Sequence, residues 1–153
     1  WSVANGQANV GQRVLVYDWL SDWTGLGIAE KLAMDGCTVT LAVNGCMAGE
    51  QLPVYTRDPW VGNLHRLGVE IVPYARLYGA DSETVYLQHM ASGEAMIMEN
   101  VDTLVTSLGG VANDSFGDEL ADLEAKVHLI GDCLAPRSCE EAILDGFRLG
   151  AAI

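Results

Sequence analysis

One stretch decides the fold: Arg13-Val-Leu-Val-Tyr-Asp-Trp-Leu-Ser-Asp-Trp-Thr-Gly-Leu-Gly-Ile-Ala-Glu-Lys-Leu-Ala33, followed by Met34-Asp-Gly36 and Cys37-Thr-Val-Thr-Leu-Ala-Val43. Its apolar run from Val14 to Tyr17 predicts a strand, and the β-branched run up to Val43 predicts another. Between them, a glycine stop at Gly36 closes a segment whose apolar residues recur at helical spacing: Ile28, Ala29, Leu32 and Ala33. The stretch therefore predicts a βαβ unit.

The turn after the first strand is where a dinucleotide-binding domain carries its glycines, because a pyrophosphate must approach bare N–H groups at a helix N-terminus. Here Gly25 aligns with the third glycine of a Gly-x-Gly-x-x-Gly pattern, and Leu20 and Asp22 stand in place of the first two. Leucine obstructs the tight turn, and the Asp22 carboxylate repels a pyrophosphate. Asn44, after the second strand, is neither the acid expected for a ribose hydroxyl nor an arginine for a 2′-phosphate.

These replacements favour a βαβ unit that serves as a structural relic rather than as a working NAD(P) site. A weaker alternative is that the altered loop still binds NAD(P)H through Thr24, Gly25 and Gly27.

Composition excludes several function classes. The chain has 153 residues and a net charge of −13 with only 8 Lys and Arg, which argues against nucleic acid and anionic membrane surfaces as partners. No stretch approaches the roughly 18 to 20 apolar residues of a membrane span, so we expect a soluble, globular protein. The four cysteines lack Cys-x-x-Cys spacing, so no metal site is predicted, and Cys37 and Cys133 are expected to be small core residues rather than disulfide partners.

The beginning of the chain carries no signal-peptide pattern, and a reducing cytoplasm is the expected compartment. It also lacks an initiator methionine, which suggests a processed chain, an excised domain or a fragment. Residues 1–12 read as a linker, and 44–57 as a long surface loop.

A second crossover follows. Asp58 and Pro59 form a typical helix start, and the apolar face that follows predicts a helix ending at Gly68: Trp60, Val61, Leu64 and Leu67. The run 69–74 predicts the next strand. From Arg76 the period changes to two, and 84–89 and 95–99 flank a turn, so they predict an antiparallel hairpin or meander. The apolar run 101–106 predicts a strand that returns to the parallel sheet.

The last third contains a predicted short acidic helix at 116–125, a short buried strand at 127–130 and a final helix. Ser138 caps the final helix with Glu141 in a Ser-x-x-Glu capping box, and Glu140 and Glu141 complement the helix dipole. Ile143, Phe147 and Ala151 line one face of it.

At this point the sequence resembles a known family. Val127-His-Leu-Ile-Gly-Asp-Cys-Leu-Ala-Pro-Arg-Ser-Cys-Glu-Glu-Ala-Ile-Leu-Asp-Gly-Phe-Arg-Leu-Gly-Ala-Ala-Ile153 is similar to the C-terminal end of the NADH:flavin oxidoreductases of the trimethylamine dehydrogenase and 2,4-dienoyl-CoA reductase group. Gly25-Leu-Gly-Ile-Ala-Glu-Lys-Leu-Ala-Met-Asp-Gly-Cys-Thr-Val-Thr-Leu41 resembles the second nucleotide-binding-like domain of the same enzymes.

The resemblance implies an α/β fold: a Rossmann-like βαβαβ sheet with an inserted antiparallel β-meander, as in glutathione-reductase-like nucleotide-binding domains, closed by a strand and a C-terminal helix. Residues 13–110 would be the NAD(P)-binding-like domain and 111–153 the returning segment of the FAD/ADP-binding-like domain. The parent enzyme would add a TIM barrel with FMN and a [4Fe–4S] cluster, and an outer nucleotide-binding domain for FAD or ADP.

In flavoprotein reductases that the chain resembles, an aspartate at a strand end accepts hydrogen bonds from the flavin ribityl chain. The matching residue here is Asp132, with Gly131 allowing close approach. The alternative is that Asp132 only orders the turn before the helix that Ser138 caps.

Two functions from different classes remain open. The first is the C-terminal module of a flavin-dependent oxidoreductase, whose partners are the remaining domains of its own parent enzyme. The second is a standalone nucleotide-binding or protein-interaction domain without catalysis. No nucleophile–base pair or carboxylate dyad has persuasive spacing, so no catalytic residue is predicted. A homo-oligomer is compatible with either function.

Overall fold

The chain folds as a mixed α/β structure in two compact units, Trp1–Leu108 and Gly109–Ile153. This computed structural model describes residues 1–120 and 123–153. In chain order the first unit contains β1 (Arg13–Asp18), α1 (Trp23–Met34), β2 (Thr38–Val43), α2 (Val54–Arg66), β3 (Glu70–Val72), β4 (Ala75–Ala80), β5 (Thr84–His89), β6 (Ala95–Glu99) and β7 (Thr103–Ser107).

A parallel sheet with the strand order β3-β2-β1-β7 forms the centre of the first unit. The first half of a Rossmann fold has the same order: successive strands are added on one side of β1, and the chain then crosses to the other side of β1. The predicted fold class is confirmed, including the return of β7 to the parallel sheet beside β1, where Leu15 pairs with Leu104.

Strand β1 is buried on both faces because covering elements lie on each side of the sheet. Val14 and Val16 belong to the core that α1 and α2 cover, whereas Leu15 and Tyr17 belong to the core that the β4–β6 strands cover. A continuous apolar run, rather than strict alternation, is what a central parallel strand requires. Asp18, at the end of the strand, is the exception, because it is a buried charged residue in this apolar run, whereas Arg13 at the other end is exposed.

The β4–β5–β6 strands form a separate antiparallel sheet, which confirms the predicted meander. Val85 and Leu87 point into the core and are buried, while their neighbour Tyr86 pairs with Ile97 on the exposed face. The alternation in sequence thus reports one buried and one open face.

Helix α1 and its glycine stop are confirmed, since Gly36 closes the turn after the helix with a φ of +93°. Its N-cap is Asp22, a role that was not predicted from the sequence. The predicted start of the second helix is wrong. Helix α2 begins at Val54 after Pro53 and contains Pro59 in its interior, so the preceding loop is shorter than expected. Both Pro53 and Pro59 suit a helix start; the chain uses the earlier one, and Thr56 and Arg57 donate to the Pro53 carbonyl.

The second unit contains α3 (Gly117–Leu120), a 3₁₀ helix at Gly131–Cys133 and α4 (Cys139–Gly150). The capping box of Ser138 and Glu141 is confirmed. The acidic helix predicted at 116–125 is shorter than expected, since 123–126 are not helical and residues 121 and 122 lie outside the described residues.

The segment 127–130 differs from the buried strand that its composition predicts. It carries no strand pairing, and Val127, Leu129 and Ile130 are about two-fifths exposed. A strand needs a neighbour to satisfy its N–H and C=O groups, and the described part of the chain supplies none at this segment.

In the described ranges, no helix is long and apolar enough to cross a membrane. The four cysteines are free thiols. Cys37 is partly buried and packs against the core of the first unit, whereas Cys133 is partly buried and belongs to neither core cluster of the described residues.

Candidate functional site

The turn that joins β1 to α1 lies at the carboxyl edge of the parallel sheet, where open α/β sheets bind their ligands. Asp18 closes β1 and pairs in register with Val43 on one side and Ser107 on the other. The Trp19 N–H donates to the Ser107 carbonyl at 3.0 Å, so the chain leaves the sheet along β7 before α1 begins.

The Asp18 side chain is fully buried, with an exposed fraction of 0%. Its Oδ1 accepts a hydrogen bond from the Ser21 N–H at 3.1 Å, whereas Oδ2 has no hydrogen-bond partner among the described residues. A Cβ atom added to Gly25 would lie 2.2 Å from this Oδ2. The carboxylate therefore packs directly against the first turn of α1, at the one position of that turn where a side chain is missing.

Burial, and to a smaller extent the nearby Asp22 carboxylate, raise the pKa of Asp18 to about 6. The backbone N–H groups of Ser21 and Leu20, and then the Ser107 hydroxyl, act in the opposite direction by stabilising the charged form. Desolvation prevails because these donors do not satisfy both oxygens.

Asp22 is the N-cap of α1: its Oδ1 accepts a hydrogen bond from the Thr24 N–H at 2.7 Å. The preceding Ser21 has a φ of +52°, a conformation that non-glycine residues rarely adopt, and it is held there from the second crossover. The Gln51 N–H donates to the Ser21 carbonyl at 3.1 Å. Two carboxylates thus take up donors around the N-terminus of α1, where the helix dipole favours negative charge.

The predicted binding residues of the first unit are only partly brought together. Thr24 and Gly25 lie at the turn, but the Thr24 N–H is used by Asp22 and Gly25 is covered by Asp18. Gly27 lies two residues further along α1, where an added Cβ atom would be 3.6 Å from the Trp60 ring of α2. Gly27 is therefore a helix-packing position.

Sequence reasoning missed Asp18. An aspartate that closes an otherwise apolar central strand, seven residues before a helical glycine, is the signal that could have identified it. Its burial depends on β2, β7 and α1 together, and those contacts are not visible in any single segment.

The other two predicted binding residues lie in the second unit. Gly131 is buried and has a φ of +62°, so a side chain there would be strained. Its N–H donates to Asp145 Oδ2 at 3.3 Å, and Arg137 forms an ion pair with the same carboxylate. Asp132 is exposed, with no side-chain hydrogen bond among the described residues, so Asp145 rather than Asp132 orders this turn.

A cavity of about 390 Å³ opens at the ends of β2 and β3 beside α2. It is lined mainly by apolar groups, and its cation, Arg57, forms an ion pair with Asp58 at 2.9 Å. In the ranges 1–120 and 123–153, no cluster of three or more His, Cys, Asp or Glu side chains could hold a metal ion.

No protein-family model matches the chain, and no curated protein sequence matches it. Solved structures do. The 6-hydroxypseudooxynicotine amine oxidase HisD from Pseudomonas geniculata N1 is 24% identical with a TM-score of 0.79, over 97% of this chain and 23% of that chain. Histamine dehydrogenase from Rhizobium sp. 4-9 is 22% identical with a TM-score of 0.78, over 94% of this chain and 23% of that one.

A 2-naphthoyl-CoA reductase in complex with 2-naphthoyl-CoA is similar to the same extent, with 22% identity and a TM-score of 0.80 over 99% of this chain and 23% of that chain. The resemblance seen in the sequence is confirmed at the level of the fold. The chain spans about a quarter of the length of these oxidoreductases.

The pKa of Asp18 makes the stability of the first unit depend on pH. The folded-state pKa is raised from 3.8 to about 6, so the folded protein binds this proton more tightly than the unfolded chain does. The resulting contribution to the free energy of unfolding is fully present below pH 4 and is lost as the pH rises through 6. Asp18→Asn is therefore expected to stabilise the protein at pH 7.5, by up to about 3 kcal/mol, and to do less near pH 4.5. Denaturant unfolding of both proteins across this range checks the prediction; parallel pH profiles would contradict it.

The two glycines of α1 form a matched pair for a second test. Gly25→Ala is expected to lower the free energy of unfolding by about 1 to 3 kcal/mol, because its methyl group collides with the buried Asp18 side chain. Gly27→Ala meets the Trp60 ring at ordinary contact distance and is expected to be neutral or to stabilise by about 0.5 to 1 kcal/mol through helix propensity. Thermal and urea unfolding measure both. Equal destabilisation by the two variants would refute the close packing at Gly25.

Proposed function

We propose that the chain is the C-terminal nucleotide-binding-like module of a flavin-dependent oxidoreductase, and that its own dinucleotide site is degenerate. The observation that carries this proposal is the superposition of nearly the whole chain, at TM-scores of 0.78 to 0.80, on a quarter of several oxidoreductases. The chain then acts as a scaffold, in the cytoplasm, and the chemistry belongs to the rest of the parent enzyme: the FMN and [4Fe–4S] cluster of a TIM barrel.

The geometry of the β1–α1 turn supports the degenerate site. A pyrophosphate bound there would need free N–H donors and a close approach to bare backbone. Asp22 uses the Thr24 N–H, Asp18 covers Gly25, and both carboxylates repel phosphate oxygens. These residues do not fit NAD(P)H, so no hydride step is assigned to this turn.

The surface of the second unit supports a larger parent. Among its described residues only Gly131 is buried, while Ile143 and Phe147 of α4 are 66% and 73% exposed. Apolar surface of this kind marks an interaction site. In the proposed parent, 13–110 form the inner domain, and 111–153 complete an outer FAD- or ADP-binding domain, in which Gly131 allows close approach and Asp132 accepts hydrogen bonds from ligand hydroxyls.

The degenerate site is tested by calorimetric titration of the purified chain with NADH, NADPH, ADP and FAD. We expect no binding of NADH or NADPH at micromolar concentrations, because Asp22 already caps the N-terminus of α1 and the carboxylates of Asp18 and Asp22 repel phosphate. Micromolar binding of NADH that a Gly25→Trp variant abolishes would overturn the scaffold proposal and make this a working cofactor domain.

The parentage is tested on the gene. The reading frame upstream of the codon for Trp1 is expected to encode a barrel with clustered cysteines, and the purified full-length product to show the absorption of bound flavin. A reading frame that encodes only this region would instead favour a standalone nucleotide-binding or protein-interaction domain.

A further inference from the structure

We propose that the carboxylates of Asp18 and Asp22 occupy the anion position at the N-terminus of α1. They take the place of a ligand phosphate, and their charges repel phosphoryl groups from this edge of the sheet. The inference rests on the proposed function, since it names what fills the degenerate site.

Helix α1 has the features of an anion site. It is 12 residues long and follows a central parallel strand. Its first turn contains no acidic residue to offset the dipole, and its last turn contains Lys31. The positive end of this dipole and its unpaired N–H groups attract an anion. Asp22 supplies one carboxylate there, 2.7 Å from the Thr24 N–H.

Asp18 supplies the second anion and is the independent observation. A capping aspartate at the surface is common, but Asp18 is completely buried, and its Oδ2 lacks a partner while facing Gly25 in the first helical turn. A buried carboxylate costs free energy unless something offsets the charge. Along the described part of the chain, none of the ion pairs includes Asp18 or Asp22.

The Asp18 carboxylate therefore faces the positive end of the α1 dipole across Gly25, while its own donor, the Ser21 N–H, precedes the helix. A ligand phosphate would compete for the same dipole and would face two negative charges, one of them in a medium of low dielectric constant. Removing both charges while keeping the cap is expected to reverse this preference.

The test uses the full chain and two double variants. Asp18→Asn preserves the shape and an acceptor for the Ser21 N–H, and Asp22→Ser preserves a good N-cap. The control, Asp35→Asn with Glu70→Gln, changes the net charge equally at exposed positions away from the turn. Calorimetry with inorganic phosphate and with ADP is combined with backbone amide NMR shifts of Thr24 and Gly25, and circular dichroism verifies folding.

We expect the first double variant to bind phosphate at least about tenfold more tightly than wild type, with shifts at Thr24 and Gly25, and the control to remain like wild type. The single variant Asp22→Ser, which leaves the buried residue intact, is expected to give a smaller gain in the same direction and serves if the double variant does not fold.

Three results would overturn the inference. The first is no gain in phosphate affinity in the Asp18→Asn, Asp22→Ser double variant or in the single variant Asp22→Ser. The others are an equal gain in the control, and phosphate binding by wild type that is as tight as that of the double variant. The first of these leaves the scaffold proposal standing, because wild type still binds no nucleotide. NADH binding by wild type would instead refute the proposed function.

Discussion

The contact between Asp18 and Gly25 is the constraint on which the first unit depends. Helix α1 can lie against the end of β1 only because position 25 has no side chain, and the space is filled by the carboxylate instead. Because the helix lies this close to the strand, its buried face packs over Val14 and Val16. The buried face consists of Leu26, Ile28, Ala29 and Leu32. The residue that fixes helix packing is thus the residue that fixes the electrostatics of the turn.

The N–H donors of this turn bond within the chain instead of to a ligand. A phosphate-binding loop keeps its N–H donors free, and the glycines that allow this make the loop more flexible. Here the donors of Ser21 and Thr24 are satisfied within the chain, and the Gln51 N–H fixes the Ser21 carbonyl from the second crossover. A turn whose donors are already used gains little from a ligand, which is consistent with the scaffold role proposed above.

The sequence predicts the elements whose signals are local. The apolar run of β1, the glycine stop after α1 and the Ser138 capping box each lie within a few residues, and the β-meander joins strands that are neighbours along the chain; each is found in the structure. Two other features were missed. The start of α2 was misplaced because Pro53 and Pro59, six residues apart, give competing local signals. The burial of Asp18 depends on distant partners, since it arises only where β2, β7 and α1 meet.

The segment 127–130 shows the same limit from the other side. Its composition is that of a buried strand, yet a strand is a property of a pair, and its neighbours must satisfy its backbone groups. Helix α4 forms beside it because capping and i→i+4 hydrogen bonds are local, although Ile143 and Phe147 remain exposed. In the larger oxidoreductase proposed above, a neighbouring strand would pair with 127–130, and a packed surface would cover Ile143 and Phe147. The apolar sequence of this segment is then explained by a surface that lies outside the segment itself.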